Sequence, residues 1–173
     1  MSILDWFKPR WKHTRNEMSA QIMRDYGSIK NAVNTQIRLL VFFDKMNPKQ
    51  FLDDAFFRLY AFGAFDSATS RYGFEIRKKI GPSLLELGYV GYISNAFNIS
   101  KQEAEKYLQE GFSALSETPV NQALMQGGTD GVQVLQGGQA KGLLVHHRYN
   151  FDENVPGNVV AEFKKYCERA NPF

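Results

Sequence analysis

Few side chains in this sequence are soft metal ligands that could also form a nucleophilic pair. They are the three histidines, His13, His146 and His147, and the single cysteine, Cys167. His146 and His147 lie in a stretch whose alternating hydrophobic pattern indicates a β-strand, where adjacent side chains point to opposite faces and do not readily bind one ion. The spacings His-Glu-x-x-His and Cys-x-x-Cys, typical of zinc sites, do not occur in the sequence. We therefore expect no metal site, and a nucleophilic pair of Cys167 and His147 would require the fold to bring the two together.

The segment from Gln126 to Gly142 is a second candidate for chemistry because it contains six glycines. Glycine backbone amides can surround a phosphate or another anion, but the segment has neither the lysine spacing of a P-loop nor Gly-x-Gly-x-x-Gly. Turns and close packing explain the same glycines more simply. The candidate ligand-binding residues in and after this segment are Gly127, Gly128, Thr129, Asp130, Gly137, Gly138, His147 and Tyr149.

The opening segment, residues 1–13, combines large aromatic rings with positive charge. Such a mixture suits an anionic membrane surface, single-stranded nucleic acid or a groove on a protein, although the rings could equally dock this segment onto the body of the protein. We expect Pro9 to break any helix here. Three consecutive basic residues between two predicted helices form a further candidate surface. The candidate partner-binding residues are Trp6, Phe7, Arg10, Trp11, Lys12, Arg77, Lys78 and Lys79.

Composition indicates a single domain over residues 1–173 with a large aromatic core. Aromatic residues make up 14% of the chain, and each buries a large area. One cysteine precludes an intramolecular disulfide, and we find no apolar signal segment or run long enough to cross a membrane, so we expect a cytoplasmic protein. The net charge of +3 arises in residues 1–40 while the remainder is nearly neutral. That distribution argues against binding to duplex DNA.

Hydrophobic periodicity and capping signals predict a mainly α fold, a compact bundle of about five helices with its core in residues 14–118. Helix starts are indicated by the capping boxes Thr14/Glu17 and Ser100/Glu103 and by Asn47 followed by Pro48. The expected helices run from about Arg15 to Leu40, from Pro48 to about Ser70, from Ser83 to Phe97 after Gly81 and Pro82, and onwards from Ser100. Asp53 and Asp54, near a helix start, are expected to stabilise that end of the helix rather than to act in catalysis.

Residues 119–151 allow two interpretations. Alternating apolar residues favour a C-terminal β-hairpin at 131–151, since several glycines would weaken a helix. The alternative keeps 119–146 helical, with Gly127 and Gly131 four residues apart so that another helix can approach closely. In both cases we expect a closing helix in residues 152–173.

These features do not define a reaction, and no residue is identified as catalytic. We expect a non-enzymatic helical protein that binds a protein partner or itself, such as an adaptor, inhibitor or immunity-type protein, since residue types enriched in interfaces are abundant. A second hypothesis is a small-molecule or phosphate-binding protein, or a small enzyme, that uses the glycine-rich segment. A third is single-stranded nucleic-acid binding through residues 1–13. No cofactor is predicted.

Overall fold

The computed structural model describes residues 3–70, 72, 74–116 and 121–147; side chains within these ranges are described from residue 17 onwards, except those of 19, 44, 74–76, 79 and 80. The described chain is helical and contains no strand. Its helices are α1 (Ile3–Asp44), α2 (Gln50–Asp53), α3 (Ala55–Ser70), α4 (Phe74–Leu85), a π-helical segment (Glu86–Val90), α5 (Gly91–Phe97), α6 (Lys101–Leu115), α7 (Gln122–Leu135) and α8 (Gly142–His146). The predicted mainly α fold is confirmed.

The apolar stripe predicted on α1 is buried along the helix. Its buried members recur at three- and four-residue steps and are Ile22, Tyr26, Ile29, Val33, Ile37 and Leu40. The helix begins at Ile3 and not near Arg15, and its backbone continues through Pro9. The expectation that Pro9 breaks the helix is therefore wrong, because a proline removes one backbone hydrogen bond while the turns on either side can persist.

The predicted second helix is interrupted at Asp54. This residue adopts an extended conformation with φ −83° and ψ 112°, which separates the single turn of α2 from α3. Asn47 accepts a hydrogen bond from the backbone N–H of Lys49 at 3.0 Å within the turn before α2. The predicted cap at Asn47 with Pro48 as the first helical residue is displaced, since α2 begins at Gln50 and its N-cap is Lys49. Helix α3 is central, since it packs against α1, α4, α6 and α7 and is buried over most of its length.

Helices α4 and α5 are joined without a break by the π-helical segment. Helix α4 begins at Phe74, well before the predicted start at Ser83, and Pro82 lies inside it. The segment brings Gly88 against the ring of Tyr26, at a position where a methyl group would collide with that ring. Gly88 therefore allows α1 to lie close to this wider turn.

Helix α6 begins where its capping box predicts. The backbone N–H of Glu103 donates to the hydroxyl oxygen of Ser100 at 3.1 Å. Ala104 and Leu108 are buried, whereas Leu115 at the end of the helix is 45% exposed.

Helices α3 and α7 pack backbone against backbone through glycines. A methyl group at Gly127 would collide with the carbonyl oxygen of Tyr60, and one at Gly63 would collide with that of Leu124. Gly131 lies in the same way against Ser67. We call this contact the glycine seam. The helical interpretation of this segment, with glycines four residues apart for close approach, is the one that the structure supports.

The predicted hairpin at 131–151 is wrong over the residues that the structure describes. Residues 131–135 form the last turn of α7, and 142–146 form α8. Helix α7 ends in a Schellman motif in which Gly137 has φ 84° and the N–H of Gly138 donates to Gln133 at 2.8 Å. The glycine cost that favoured a hairpin is offset because Gly127 and Gly131 contact α3. Residues 148–151 and the predicted closing helix 152–173 lie outside the described residues.

Among the described helices, none combines the length and the apolar character that are needed to cross a membrane.

The glycine seam predicts opposite effects for two adjacent glycines in α7. Gly127→Ala should destabilise the protein by at least about 1–3 kcal/mol, because its methyl group forces the α3 and α7 backbones apart. Gly128→Ala is the matched control: its methyl group would lie 3.8 Å from the nearest atom, the carbonyl oxygen of Gly63, and should stabilise the helix by up to about 1 kcal/mol. Urea unfolding of both variants measures this, and equal effects would contradict the seam.

Four buried tyrosines predict a loss of stability in alkali. Burial is the main cause that raises the pKa of Tyr26, Tyr60, Tyr89 and Tyr92 well above the ordinary value. The unfolded chain releases these protons near pH 10, while the folded protein retains them. Below that pH the tyrosines do not affect the stability. Above it, the free energy of unfolding falls by up to about 1.4 kcal/mol per pH unit for each tyrosine.

Urea unfolding at a series of alkaline pH values measures this slope. Tyr92→Phe should reduce the slope by the equivalent of one proton, because one ionisable group is removed. A slope that is the same in the variant and the original protein would show that Tyr92 ionises without unfolding.

Candidate functional site

A buried carboxylate on α7 joins three elements of the fold. Asp130 is 3% exposed, and its Oδ2 accepts hydrogen bonds from the Tyr60 hydroxyl at 2.7 Å and from the backbone N–H groups of Lys141 at 2.8 Å and Gly142 at 2.6 Å. Its Oδ1 accepts from Nε2 of Gln126 at 2.9 Å. Asp130 therefore binds the first amides of α8, which have no partners within their own helix.

Gln36 on α1 completes the anchoring of α8. Its Nε2 donates to the Tyr60 hydroxyl at 2.8 Å, and its Oε1 accepts from the backbone N–H of Leu143 at 3.0 Å. Side chains from α1, α3 and α7 thus form one connected buried network that ends on the backbone of α8. Because buried polar groups are costly when unpaired, this network fixes both the position and the direction of α8.

Helix α8 carries two histidines to the start of α3, where Asp54 lies. Oδ1 of Asp54 accepts a hydrogen bond from the backbone N–H of Phe56 at 2.8 Å and so caps α3, as its expected role at a helix start requires. Its Oδ2 lies 3.8 Å from Nε2 of His146 and 3.8 Å from Nε2 of His147. One atom from each of these three side chains lies within 4.8 Å of the others. We call this group the Asp-His-His cluster.

The two imidazole rings of the cluster pack on aromatic residues. His146 stacks on Phe56, with ring centroids 3.6 Å apart and planes within 4°, and His147 meets the edge of Phe51 at 5.9 Å. We expected no metal site partly because His146 and His147 would point to opposite faces of a strand. That premise is wrong, because His146 is the last residue of α8 and His147 follows it at the helix end, where both side chains reach Asp54.

A surface pocket of about 610 Å³ opens beside His146, between α3, α7 and α8. Its apolar wall is formed by a phenylalanine, a methionine and a valine, and its charged or titratable groups are a lysine and a histidine. None of the described residues that line it is a carboxylate. The lining residues are Phe56, Gln122, Met125, Gln126, Thr129, Lys141, Gly142, Val145 and His146.

The structure does not gather the predicted ligand-binding residues into one site. Thr129 lines the pocket, His147 belongs to the Asp-His-His cluster, and Asp130 lies in the buried network. Gly127 is in the glycine seam, and Gly128 is partly buried beside it. Gly137 and Gly138 form the exposed turn after α7. Tyr149 lies outside the described residues.

The predicted partner-binding residues fall in two helices. The side chains of Trp6, Phe7, Arg10, Trp11 and Lys12 are not among those described, and their backbone belongs to α1. Arg77, Lys78 and Lys79 lie in α4 and not between helices. Arg77 forms an ion pair with Asp66, and Lys78 is exposed.

No family model, curated protein or solved structure matches this chain.

Sequence reasoning missed Asp54 as a neighbour of the histidines and Lys141 and Val145 as pocket residues. Asp54 carried one usable signal, because an aspartate before a helix start holds its carboxylate in a fixed position by capping. The approach of α8 to α3 had no such local signal, since it depends on hydrogen bonds between residues that are far apart in the sequence.

The buried network predicts that Asp130→Asn loosens α8. The amide offers a single acceptor oxygen, so at least one of the donors on Tyr60, Gln126 and α8 loses its partner, at a cost of about 1–3 kcal/mol. Amide hydrogen exchange at Gly142 should accelerate together with the fall in stability. Asp53→Asn, an equivalent change at an exposed position, should alter stability by less than about 0.5 kcal/mol. Unchanged protection of Gly142 would contradict the anchoring role of Asp130.

Proposed function

We propose that this protein is a binding protein whose ligand, a small organic anion with an apolar part, occupies the pocket between α3, α7 and α8. The observation that carries the proposal is a concave, partly apolar surface whose charged or titratable groups, among the described residues, are Lys141 and His146. Its volume of about 610 Å³ lies in the range of pockets that hold small molecules.

The apolar part of the ligand would lie on side chains that are otherwise exposed to water. Met125 is 56% exposed and Val145 is 61% exposed, and both line the pocket. Covering them yields about 25 cal/mol for each Å² of apolar surface removed from water. Phe56 and His146, which also line the pocket, are stacked nearly parallel and add two aromatic rings to its surface. A planar or branched apolar group fits such a surface.

The charged part of the ligand would lie near Lys141. Its backbone N–H is held by Asp130, so the start of its side chain is fixed at the edge of the pocket. Gln122, Gln126 and Thr129 also line the pocket and lie on one face of α7. Nε2 of Gln126 donates to Asp130 and the Thr129 hydroxyl donates to the carbonyl oxygen of Met125, so the amide of Gln122 is the polar group of α7 that we expect to contact the ligand. A negatively charged ligand gains an attraction to Lys141, while the carboxylates of Asp54 and Asp130 lie behind the described lining residues His146, Lys141 and Gly142.

The same surface bears on the sequence-based prediction of a protein partner or self-association. Exposed Met125 and Val145 are residue types that also occur in protein interfaces, and that prediction remains untested by the described contacts. Nucleic-acid binding through residues 1–13 likewise remains a prediction. We favour the small anion because the apolar surface is concave and its charged and titratable lining residues are basic.

The aromatic sulfonate 8-anilinonaphthalene-1-sulfonate is a suitable probe, because it joins an anion to apolar rings and fluoresces when bound in an apolar site. We expect saturable binding at one site. Met125→Glu should weaken it at least about 10-fold, which corresponds to about 1.4 kcal/mol. Lys141→Gln should weaken it about 3-fold, with a reduced dependence on salt.

Two variants serve as matched controls. Val132→Glu places the same charge on another exposed apolar residue of α7 outside the pocket lining, and Lys106→Gln removes a lysine from α6. Both should leave the affinity unchanged. Equal losses in the variants and the controls would contradict the proposal. Native mass spectrometry adds an independent outcome: a second protein, or a homo-oligomer, that is lost on Met125→Glu would assign the surface to a macromolecular partner.

A further inference from the structure

We propose that Asp54, His146 and His147 form a binding site for a divalent transition-metal ion, with zinc as the expected occupant. This proposal goes beyond the anion pocket and does not depend on it. The juxtaposition that carries it is the approach of one carboxylate oxygen and two imidazole nitrogens to within 4.8 Å of one another.

The distances are close to those in a zinc site. Donor atoms bonded to zinc at about 2.0–2.1 Å in tetrahedral geometry lie about 3.3 Å apart. Oδ2 of Asp54 is 3.8 Å from Nε2 of each histidine. A displacement of about half an ångström therefore closes each of these two gaps to the distance expected for zinc ligands. The two imidazoles, which offer donor atoms within 4.8 Å of each other, must approach as well, and rotation of the side chains would supply both movements.

The donor set selects the class of ion. Two imidazoles with one carboxylate suit zinc and its neighbours among the transition metals, whereas magnesium and calcium prefer oxygen ligands alone. Three protein donors leave one tetrahedral position open to water or another ligand. Because His146 also lines the pocket, that open position would lie near the pocket and not deep in the core.

The surrounding contacts hold the donors in place before an ion arrives. Oδ1 of Asp54 is engaged by the N–H of Phe56, which orients Oδ2 towards the histidines. The His146 ring is stacked on Phe56, and α8 is anchored through Asp130 and Gln36. Contacts of this kind orient metal ligands and limit the conformational entropy lost on binding. His146 and Asp54 are 38% and 29% exposed respectively, whereas Nε2 of His147 is buried, so an ion would enter from the side of His146 and Asp54.

Isothermal titration of the EDTA-treated full chain with ZnCl₂ tests the site. We expect one zinc ion per chain with a dissociation constant of about 1 μM or lower. Replacing zinc with Co²⁺ adds a spectroscopic readout, because four-coordinate cobalt absorbs visible light much more strongly than six-coordinate cobalt. MgCl₂ should give no binding at the same site.

Three variants and one control identify the ligands. His146→Gln and His147→Gln should each weaken zinc binding at least about 10-fold. Asp54→Asn should do the same, and it retains the α3 cap because asparagine caps a helix about as well as aspartate, so loss of binding is separable from loss of folding. His13→Gln removes the remaining histidine of the chain and should have no effect.

The proposal is overturned if the original protein does not bind zinc. It is also overturned if the three ligand variants bind zinc as tightly as the original protein, or if His13→Gln weakens binding as much as they do. The result is separable from the anion pocket. Met125→Glu should retain zinc binding, and the fluorescent sulfonate is titrated in the presence of EDTA, so either site can fail while the other stands.

Discussion

Gly63 on α3 and Gly127 and Gly131 on α7 bring two helix backbones so close that a methyl group at any of the three would collide with the facing helix. This contact determines which side chains lie between the helices. Tyr60 and Asp130 come from opposite sides of the seam, and their hydrogen bond at 2.7 Å requires the close approach. Larger residues in the seam would separate these two groups and remove the acceptor that binds the start of α8.

Asp130 and Asp66 show two ways in which this fold accommodates a carboxylate. Asp130 accepts four hydrogen bonds, from Tyr60, Gln126 and two backbone amides. Asp66 pairs with Arg77, yet burial outweighs that attraction and raises the pKa of its carboxyl group. The unfolded chain therefore releases this proton at a lower pH than the folded protein does, so Asp66 lowers the stability as pH rises above the range in which an exposed aspartate titrates. Asp130, by contrast, joins helices through its hydrogen bonds.

The features that could be predicted from sequence were local. The Ser100 cap and the stripe on α1 each arise within a few turns of one helix, and both are confirmed. The interruption at Asp54 was missed because apolar residues continue on both sides of it without a change of period. The glycines of α7 were ambiguous for a physical reason: their intrinsic cost in a helix is local, while the compensating contact with α3 is not. The wrong prediction of a strand at 143–151 also placed His146 and His147 on opposite faces, and for that reason the Asp-His-His cluster was not predicted.

The hydrogen bond between Gln36 and Leu143 spans 107 positions of the chain. A ribosome synthesises α1 early and α8 late, so the nascent chain exposes Asp54, Tyr60 and Gln36 long before the segment that contacts them is made. During that interval α3 lacks the helix that packs against it at Gly63. Vectorial synthesis thus imposes an order of appearance: the glycines of α7 are made before α8, and a chain released before residue 142 has neither histidine of the Asp-His-His cluster.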